Sequence, residues 1–307
     1  MELVKKIDIH SHGTPFPQYV PMHKDNKARI SPSADELLFL YDKLNIEKGI
    51  LLPIVSPDAQ PHLQTTEECK YLVDQHPDRF VLFCNVDPRS VYNLATTDHT
   101  YLLEHYKSLG AKGLGELTAN LYIDDPMLEN LFACCAEVDM PVTIHMAPQV
   151  GGYYGIVDDM GLPRLEKLLK KYPKLKILGH SHHFWAEITK LASEEERNGP
   201  QWSKVIPGTI ERLMRECPNL YGDLSAGSGG TAMMRDPEYA AKFMTEFSDR
   251  LLYGTDICEK ISMKPGSLPY DFGPFLDNMA ITGMISMDVY NKIVRYNAIK
   301  LLNLDME

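Results

Sequence analysis

The chain reads Lys6-Ile7-Asp8-Ile9-His10-Ser11-His12-Gly13 close to its N-terminus. Apolar and polar residues alternate along this stretch, which is the period of a β-strand. Residues two apart on a strand point to the same face, so we expect the side chains of His10 and His12 to lie side by side. Two neutral imidazoles that face one point are well suited to bind a divalent metal ion.

Seven further short apolar segments follow along the chain, and each has the length of a barrel strand. With the first, they predict strands over residues 4–10, 48–54, 79–86, 111–116, 141–146, 175–180, 219–224 and 250–256. The segments between them carry helix signals, such as a capping box formed by Ser33 and Glu36 and a proline, Pro126, at a first helical position. This alternation predicts an α/β fold, a single-domain (β/α)8 TIM barrel over residues 1–307. A doubly wound open sheet is the alternative, but no G-x-G-x-x-G follows the first strand.

Composition narrows the class of protein further. The 307 residues carry a net charge of −11, which argues against nucleic acid or an anionic membrane as a partner. The start lacks the apolar region of a signal peptide, and no run approaches the ~20 apolar residues of a membrane span. Six cysteines without a C-x-x-C pair are typical of reduced thiols, so we expect a cytoplasmic protein. Because barrels of this size commonly associate, a homo-oligomer stays open.

Six side chains of the metal-ligand type stand at the predicted carboxyl ends of strands. They are His10 and His12 (first strand), Glu116 (fourth), His145 (fifth), His180 (sixth) and Asp256 (eighth). Since the strands of a barrel end on one rim, we expect these side chains within reach of one another. Imidazole and carboxylate suit Zn²⁺ best, with Mn²⁺, Fe²⁺ or Ni²⁺ as alternatives, and the set could hold one ion or two.

The six residues divide into two groups by expected role. One ion with an open position for water could be held by His10, His12, His145 and Asp256, and such an ion lowers the pKa of its water to about 7. Asp256 could accept the proton during attack, and His180 or the ion would polarise the scissile carbonyl. Glu116 and His180 could instead help to hold a second ion.

The longest stretches without periodicity follow strands, which in a barrel places them around the active site. We therefore predict loops over residues 12–32, 147–160, 225–236 and 257–284. Tyr153 and Tyr154 could form an aromatic wall or lid there. Six further residues could contact substrate or could have only a surface or packing role. They are His182, His183, Trp185, Arg235, Lys260 and Lys264. Asp8 could orient a ligand imidazole, or be a buried hydrogen-bonding residue.

The ordered motifs resemble the amidohydrolase superfamily, specifically the amidohydrolase-related (amidohydrolase 2) group of metal-dependent barrel hydrolases and decarboxylases. The motifs are Ile9-His10-Ser11-His12, Ile144-His145, Gly179-His180 and Gly254-Thr255-Asp256. Residues 296–302 look like the closing helix of that family. The resemblance implies that metal is bound by His10, His12, His145 and Asp256. It implies that His180 is a second-metal ligand in some members and an acid–base or substrate contact in others.

Glu116 departs from the pattern of many members, which carry a carboxylated lysine after the fourth strand. In this respect the chain is similar to the TatD-type deoxyribonuclease branch. The decarboxylase branch often lacks a ligand there, so Glu116 favours hydrolysis. We predict a metal-dependent hydrolase of an amide, ester or lactone bond in a small substrate, which can be anionic. A decarboxylase or hydratase of a small carboxylic acid, with one metal ion, is the alternative enzyme, and a barrel that binds metal without turnover is the non-enzymatic one.

Overall fold

The structure, a computed structural model, describes residues 3–21, 31–199 and 201–306, so part of the predicted loop 12–32 lies outside the described residues. Within the described residues the chain forms nine strands. They are β1 (Lys6–Ser11), β2 (Ile46–Leu51), β3 (Phe80–Leu82), β4 (Leu114–Leu117), β5 (Val142–Ala147), β6 (Ile156–Val157), β7 (Ile177–His180), β8 (Leu220–Asp223) and β9 (Leu251–Leu252).

All strand pairs are parallel, and they form two runs, β1-β2-β3 and β4-β5-β7-β8-β9, while β6 pairs with β5 outside this path. Backbone hydrogen bonds join the two runs at both seams. Between β3 and β4, the Cys84 N–H donates to the Gly113 carbonyl (2.9 Å). Between β9 and β1, the Ile9 N–H donates to the Tyr253 carbonyl (3.0 Å). The eight strands other than β6 therefore close into a parallel barrel, which confirms the predicted fold class.

Helices follow the strands along the chain, and the capping box at Ser33 is present. The longer helices are Ala34–Leu44, Thr66–Gln75, Thr100–Ser108, Pro126–Glu137, Pro163–Lys171, Thr209–Glu216, Ala226–Met234, Pro237–Glu246 and Leu268–Ile281. The shorter helical segments are His182–Trp185, Ala186–Ile188, Glu194–Asn198, Lys260–Ser262, Met287–Asn291, Lys292–Tyr296 and Asn297–Leu302. In the described part of the chain, every helix is too short or too polar to cross a bilayer.

Two of the predicted loops are wrong in part, because each contains a helix. Residues 225–236 include the helix Ala226–Met234, and residues 257–284 include Leu268–Ile281. Gly229 lies so close to the backbone of Leu224 that a Cβ would come within 2.3 Å of its carbonyl oxygen. In the second helix, Pro274 stands inside the element. Glycine and proline break isolated helices, and here packing against the barrel overrides that preference.

The C-terminal helix Asn297–Leu302 closes the structure against the barrel, as residues 296–302 suggested. Ala298 and Leu302 pack in one apolar cluster with β1 residues Ile7 and Ile9. The buried Asn297 amide donates to the carbonyls of Ser248 (2.6 Å) and Leu251 (2.8 Å), at the start of β9. One side chain thus satisfies two buried acceptors at the last strand of the barrel.

The Asn297→Ala variant tests this contact. Removing the amide leaves two buried carbonyls without a donor, so we expect the free energy of unfolding to fall by about 1–3 kcal/mol. Urea unfolding followed by circular dichroism measures the change. The exposed Lys300 of the same helix provides the control: Lys300→Ala is expected to stay within about 0.5 kcal/mol of the parent. Equal stability of the two variants would contradict the assigned role.

Candidate metal centre

The ligand-type side chains of β1 meet two carboxylates at the carboxyl end of the barrel. The Nε2 atoms of His10 and His12 are 3.1 Å apart. Glu116 Oε2 lies 3.7 Å from the first and 3.5 Å from the second, and Asp256 Oδ1 lies 3.6 and 3.4 Å from them. Ligands of a tetrahedral ion at about 2.1 Å from the metal are about 3.4 Å apart. The four distances between an imidazole nitrogen and a carboxylate oxygen are therefore close to the distance between two ligands of one ion.

The other oxygen of Glu116 faces a second pair of histidines. His145 Nδ1 lies 2.5 Å from Oε1, which is the length of a hydrogen bond, and His180 Nε2 lies 3.6 Å from the same atom. His180 Nε2 is also 3.5 Å from Asp256 Oδ2. Three overlapping groups could therefore hold metal: His10, His12 and Glu116; His10, His180 and Asp256; and Glu116, His145 and His180. The structure thus brings together all six residues that the sequence singled out.

The local backbone explains how the two carboxylates reach this point. Gly115 has a φ of +142°, and a Cβ there would lie 2.8 Å from the Thr143 carbonyl oxygen, so glycine permits the approach that turns Glu116 inward. Asp256 has a left-handed φ of 52° and its N–H donates to the His10 carbonyl (2.7 Å). The backbone of Asp256 is thereby fixed to that of His10 on β1.

Asp8 contacts backbone and hydroxyl groups, and no imidazole ring is among its described contacts. Its carboxylate accepts from the N–H groups of His10 (3.1 Å) and Thr255 (2.8 Å) and from the Thr255 hydroxyl (2.6 Å). Burial raises the pKa of Asp8 to about 6, although these hydrogen bonds act in the opposite direction. The sequence left open whether Asp8 orients a ligand imidazole or is a buried hydrogen-bonding residue, and the structure shows the second role.

Each histidine next to Asp256 has a fixed partner for its second nitrogen. His10 Nδ1 lies 2.6 Å from Asp223 Oδ2, His12 Nδ1 donates to the Leu52 carbonyl (2.9 Å), and His180 Nδ1 lies 3.0 Å from the Ser225 hydroxyl. These contacts direct Nε2 of each ring towards the cluster, as in metal sites whose ligands are oriented by outer hydrogen bonds.

Asp223 and Ser225 are functional residues that sequence reasoning missed. The available signal was the end of the seventh predicted strand, where Gly222-Asp223 resembles Gly254-Thr255-Asp256 at the end of the eighth. For Trp185 the sequence left substrate contact and packing open; the residue is buried, and its indole donates to the Asp223 carbonyl (2.8 Å).

Burial and mutual attraction set the charges in the cluster. Burial lowers the pKa of a histidine, but the carboxylates of Asp256, Asp223 and Glu116 outweigh it and raise the pKa of His10 well above its usual value. The same balance raises the pKa of His12 to about 9. Burial also opposes ionisation of Glu116, Asp223 and Asp256, yet the neighbouring histidines lower all three pKa values. The cluster therefore holds three carboxylates that stay negative and binds protons or a cation strongly.

Of the other residues near the rim, some contact the cluster and some contact other parts of the protein. The Tyr154 ring lies 4.6 Å from the His145 ring, centroid to centroid, whereas exposed Tyr153 has no ring contact or hydrogen bond with the described residues. His182 is bonded to the Arg197 carbonyl (3.0 Å) and His183 to the Asn198 side chain (2.8 Å), so both turn towards residues 197–198.

The sequence suggested Arg235, Lys260 and Lys264 as cations near the rim, but among the described residues none of them contacts the cluster. Lys260 pairs with Glu36 (2.6 Å), Arg235 donates to Gln201 (3.1 Å), and Lys264 is exposed. Among the described residues, the ionic partners of the three cluster carboxylates are all histidines.

A comparison with models of known protein families identifies the family of this chain. The family model described as Amidohydrolase matches residues 7–304, which is nearly the whole chain. The chain belongs to the amidohydrolase family. No curated protein sequence gives a significant match.

Solved structures of similar fold include both hydrolases and decarboxylases. One is a probable 2-pyrone-4,6-dicarboxylic acid hydrolase from Acinetobacter baumannii with citric acid bound (15% identity, 98% of this chain and 100% of that one, TM-score 0.60). Another is 2,6-dihydroxybenzoate decarboxylase from Rhizobium (18% identity, 99% of this chain and 100% of that one, TM-score 0.60). A third is 5-carboxyvanillate decarboxylase from Novosphingobium aromaticivorans, complexed with manganese (18% identity, 98% of this chain and 96% of that one, TM-score 0.60). At these identities the likeness shows the fold, and the amidohydrolase barrel is common to enzymes of both reaction types.

The Asp223→Asn variant tests the role of the missed carboxylate. An amide keeps the shape but loses the charge that orients and polarises His10, so we expect the affinity for Zn²⁺ to fall about 10- to 100-fold. Isothermal titration calorimetry with competing chelator measures it, and circular dichroism monitors the fold. Asp139→Asn, which alters an exposed pair with Lys176, is the control. An unchanged affinity in Asp223→Asn would show that this contact does not support metal binding.

Proton release on metal binding tests the charge balance. The pKa of His12 is raised, so without metal the ring keeps its proton until the pH approaches about 9, and a metal ion must displace that proton. Apparent Zn²⁺ affinity is therefore expected to rise as the pH increases from about 6 to 9. Titrations at pH 7.5 in two buffers of different ionisation enthalpy should give different heats. Identical heats in the two buffers would mean that no proton is released.

Proposed function

We propose that the protein is a metal-dependent hydrolase that activates water against an amide, ester or lactone bond of a small substrate. The observation that carries the proposal is the position of Glu116, whose Oε2 faces His10 and His12 while its Oε1 faces His145 and His180. A carboxylate between two sets of histidines is suited to bridge two ions, as in two-metal hydrolytic sites.

Each chemical role falls to a particular set of residues. One ion would be held by His10, His12 and Asp256 together with Glu116, and a second would be held by Glu116 together with His145 and His180. Zn²⁺ suits this mixture of imidazole and carboxylate donors, and Mn²⁺, Fe²⁺ or Ni²⁺ could replace it. When bound, such ions supply Lewis acidity and lower the pKa of water.

Proton transfer belongs to Asp256 and His180. The neighbouring histidines keep the Asp256 carboxylate ionised, so it can accept a proton from attacking water at neutral pH. Its Oδ2 lies 3.5 Å from His180 Nε2, while Ser225 fixes the opposite nitrogen of that ring. In a site with one ion, where His180 is not a ligand, its Nε2 could instead polarise the scissile carbonyl or pass a proton to the leaving group. The unpaired cysteines, all buried except Cys258, support a reducing compartment such as the cytoplasm.

Decarboxylation of a small carboxylic acid is the second candidate, favoured by the decarboxylases among the similar structures. In that reaction a single ion would bind the substrate carboxylate and His180 would deliver the proton to carbon. Glu116 discriminates the two candidates, because a single-ion site has no need of a carboxylate between two histidine pairs.

The Glu116→Gln variant separates these functions. At saturating Zn²⁺, we expect two ions per parent chain by elemental analysis and hydrolysis of esters or lactones in a panel that also includes p-nitrophenyl acetate and small amides. Because the amide is a poor bridging ligand, the variant should bind one ion fewer and hydrolyse about 10²- to 10³-fold more slowly.

The control is Glu129→Gln on an exposed pair with Lys171, which should match the parent. The same panel includes aromatic and aliphatic carboxylic acids assayed for released CO₂. One ion per chain, with CO₂ release that survives Glu116→Gln and no ester or lactone hydrolysis, would overturn the hydrolase proposal in favour of the decarboxylase.

A further inference from the structure

The segment after β5 is tied to the segment after β4 by a single buried side chain, Asn120. Its amide nitrogen donates to the carbonyls of Gln149 (3.0 Å) and Gly155 (2.9 Å), and its amide oxygen accepts from the Gly151 N–H (2.5 Å). The Gly155 N–H donates in turn to the Thr118 carbonyl (2.7 Å). Residues 149–155 are thereby held at both ends by Thr118 and Asn120, which lie two and four residues after Glu116.

Tyr154 stands within this fixed segment and lies against the metal centre. Its ring is 4.6 Å from the His145 ring, with 46° between the planes. At Gly155, a Cβ would lie 2.8 Å from His145 Cδ2, so the backbone itself packs on the imidazole. The side chain remains 40% exposed, so it borders the open mouth of the barrel.

The phenol of Tyr154 has no hydrogen-bond partner among the described residues. A tyrosine hydroxyl usually finds a partner when it is partly buried. Here the ring is fixed by His145 and the backbone by Asn120, yet the polar end is left for another molecule. The adjacent Tyr153 is exposed to a similar extent, at 47%, but makes no described contact with the centre.

We propose that Tyr154 is a substrate-binding residue whose phenol donates a hydrogen bond to an oxygen next to the scissile bond, and that Asn120 is the residue that positions it. The inference rests on the proposed function, since the bound group is the carbonyl or carboxylate oxygen of a substrate at the metal centre. A neutral donor suits an oxygen that gains negative charge during hydrolysis, because a fixed donor stabilises that charge more than the ground state. The substrate class is therefore one with an acceptor oxygen on the reacting carbon, as in esters, lactones and amides.

The test compares Tyr154→Phe with the matched control Tyr153→Phe in Co²⁺-loaded protein. Two probes are used: acetohydroxamate, whose carbonyl oxygen stands in for that of the substrate, and p-nitrophenyl acetate as an ester. In both variants we expect unchanged Co²⁺ content and unchanged visible absorption before ligand is added. Tyr154→Phe should weaken acetohydroxamate binding at least 10-fold and lower kcat/KM for the ester 10- to 100-fold, mainly through kcat. Tyr153→Phe should match the parent in both measurements.

Asn120→Ala tests the positioning role. It should reproduce the loss of Tyr154→Phe without loss of Co²⁺, and the double variant should be no worse than either single one, because the two residues act as a unit. Additive losses would show that Asn120 acts on the site by another route.

The outcomes separate this inference from the proposed function. Ester hydrolysis by the parent protein that is equally fast in Tyr154→Phe and Tyr153→Phe, with equal acetohydroxamate affinity, would overturn the role of Tyr154 and leave the hydrolase standing. Weakened acetohydroxamate binding in Tyr154→Phe without turnover of any ester by the parent would support Tyr154 and count against the hydrolase. A parent protein that holds Co²⁺ but binds no acetohydroxamate would overturn the inference.

Discussion

Unbalanced negative charge at the mouth of the barrel is the constraint on which the rest of this structure depends. Glu116, Asp223 and Asp256 are gathered where the described residues offer them only histidines as ionic partners. Burying a charge without a partner is costly, so the cluster must take up protons or a metal ion. A protonated imidazole cannot ligate metal, and the two cations therefore compete for the same atoms.

The barrel tolerates this charge because its seams fix the participants. Asp8 ties β1 to Thr255, and the Asp256 N–H is bonded to the His10 carbonyl, so the closing seam and the metal centre use the same residues. Outer contacts then set the rings, with Asp223 on His10 and Ser225 on His180. Fold and site are therefore coupled: the hydrogen bonds that close the cylinder are those that hold the ligands at their distances.

The sequence predicted where the strands end, and for this reason it also predicted that the six ligand-type residues lie on one rim. A polar residue at the end of an apolar run has one possible rim in a barrel, so chain order alone predicted that His10 and Asp256 would be close, and their side chains are 3.6 Å apart. Asp223 was missed because it contacts the ring of His10, which lies 213 residues away in the chain, and Ser225 was missed because a hydroxyl is not a metal-ligand type. Their roles depend on ring orientation, which follows from three-dimensional contacts.

Local preference misled the prediction where packing decides the structure. Residues 225–236 and 257–284 lack periodicity and were predicted as loops, but each contains a helix. His182 and His183 looked available for substrate, yet the helix Glu194–Asn198 and its C-terminal end take up their hydrogen bonds. Of the rim aromatics, Tyr154 could be suspected from the sequence, but only the bonds of Asn120 show that it is held against His145.

The central claim is that side chains from separate strands share a divalent cation, and anomalous X-ray diffraction from Zn²⁺-loaded crystals tests it most directly. The account predicts a zinc peak about 2.0–2.2 Å from the Nε2 atoms of His10 and His12 and from a carboxylate oxygen of Asp256. Crystals with zinc bound elsewhere on the protein, and no anomalous peak among these three side chains, would contradict it.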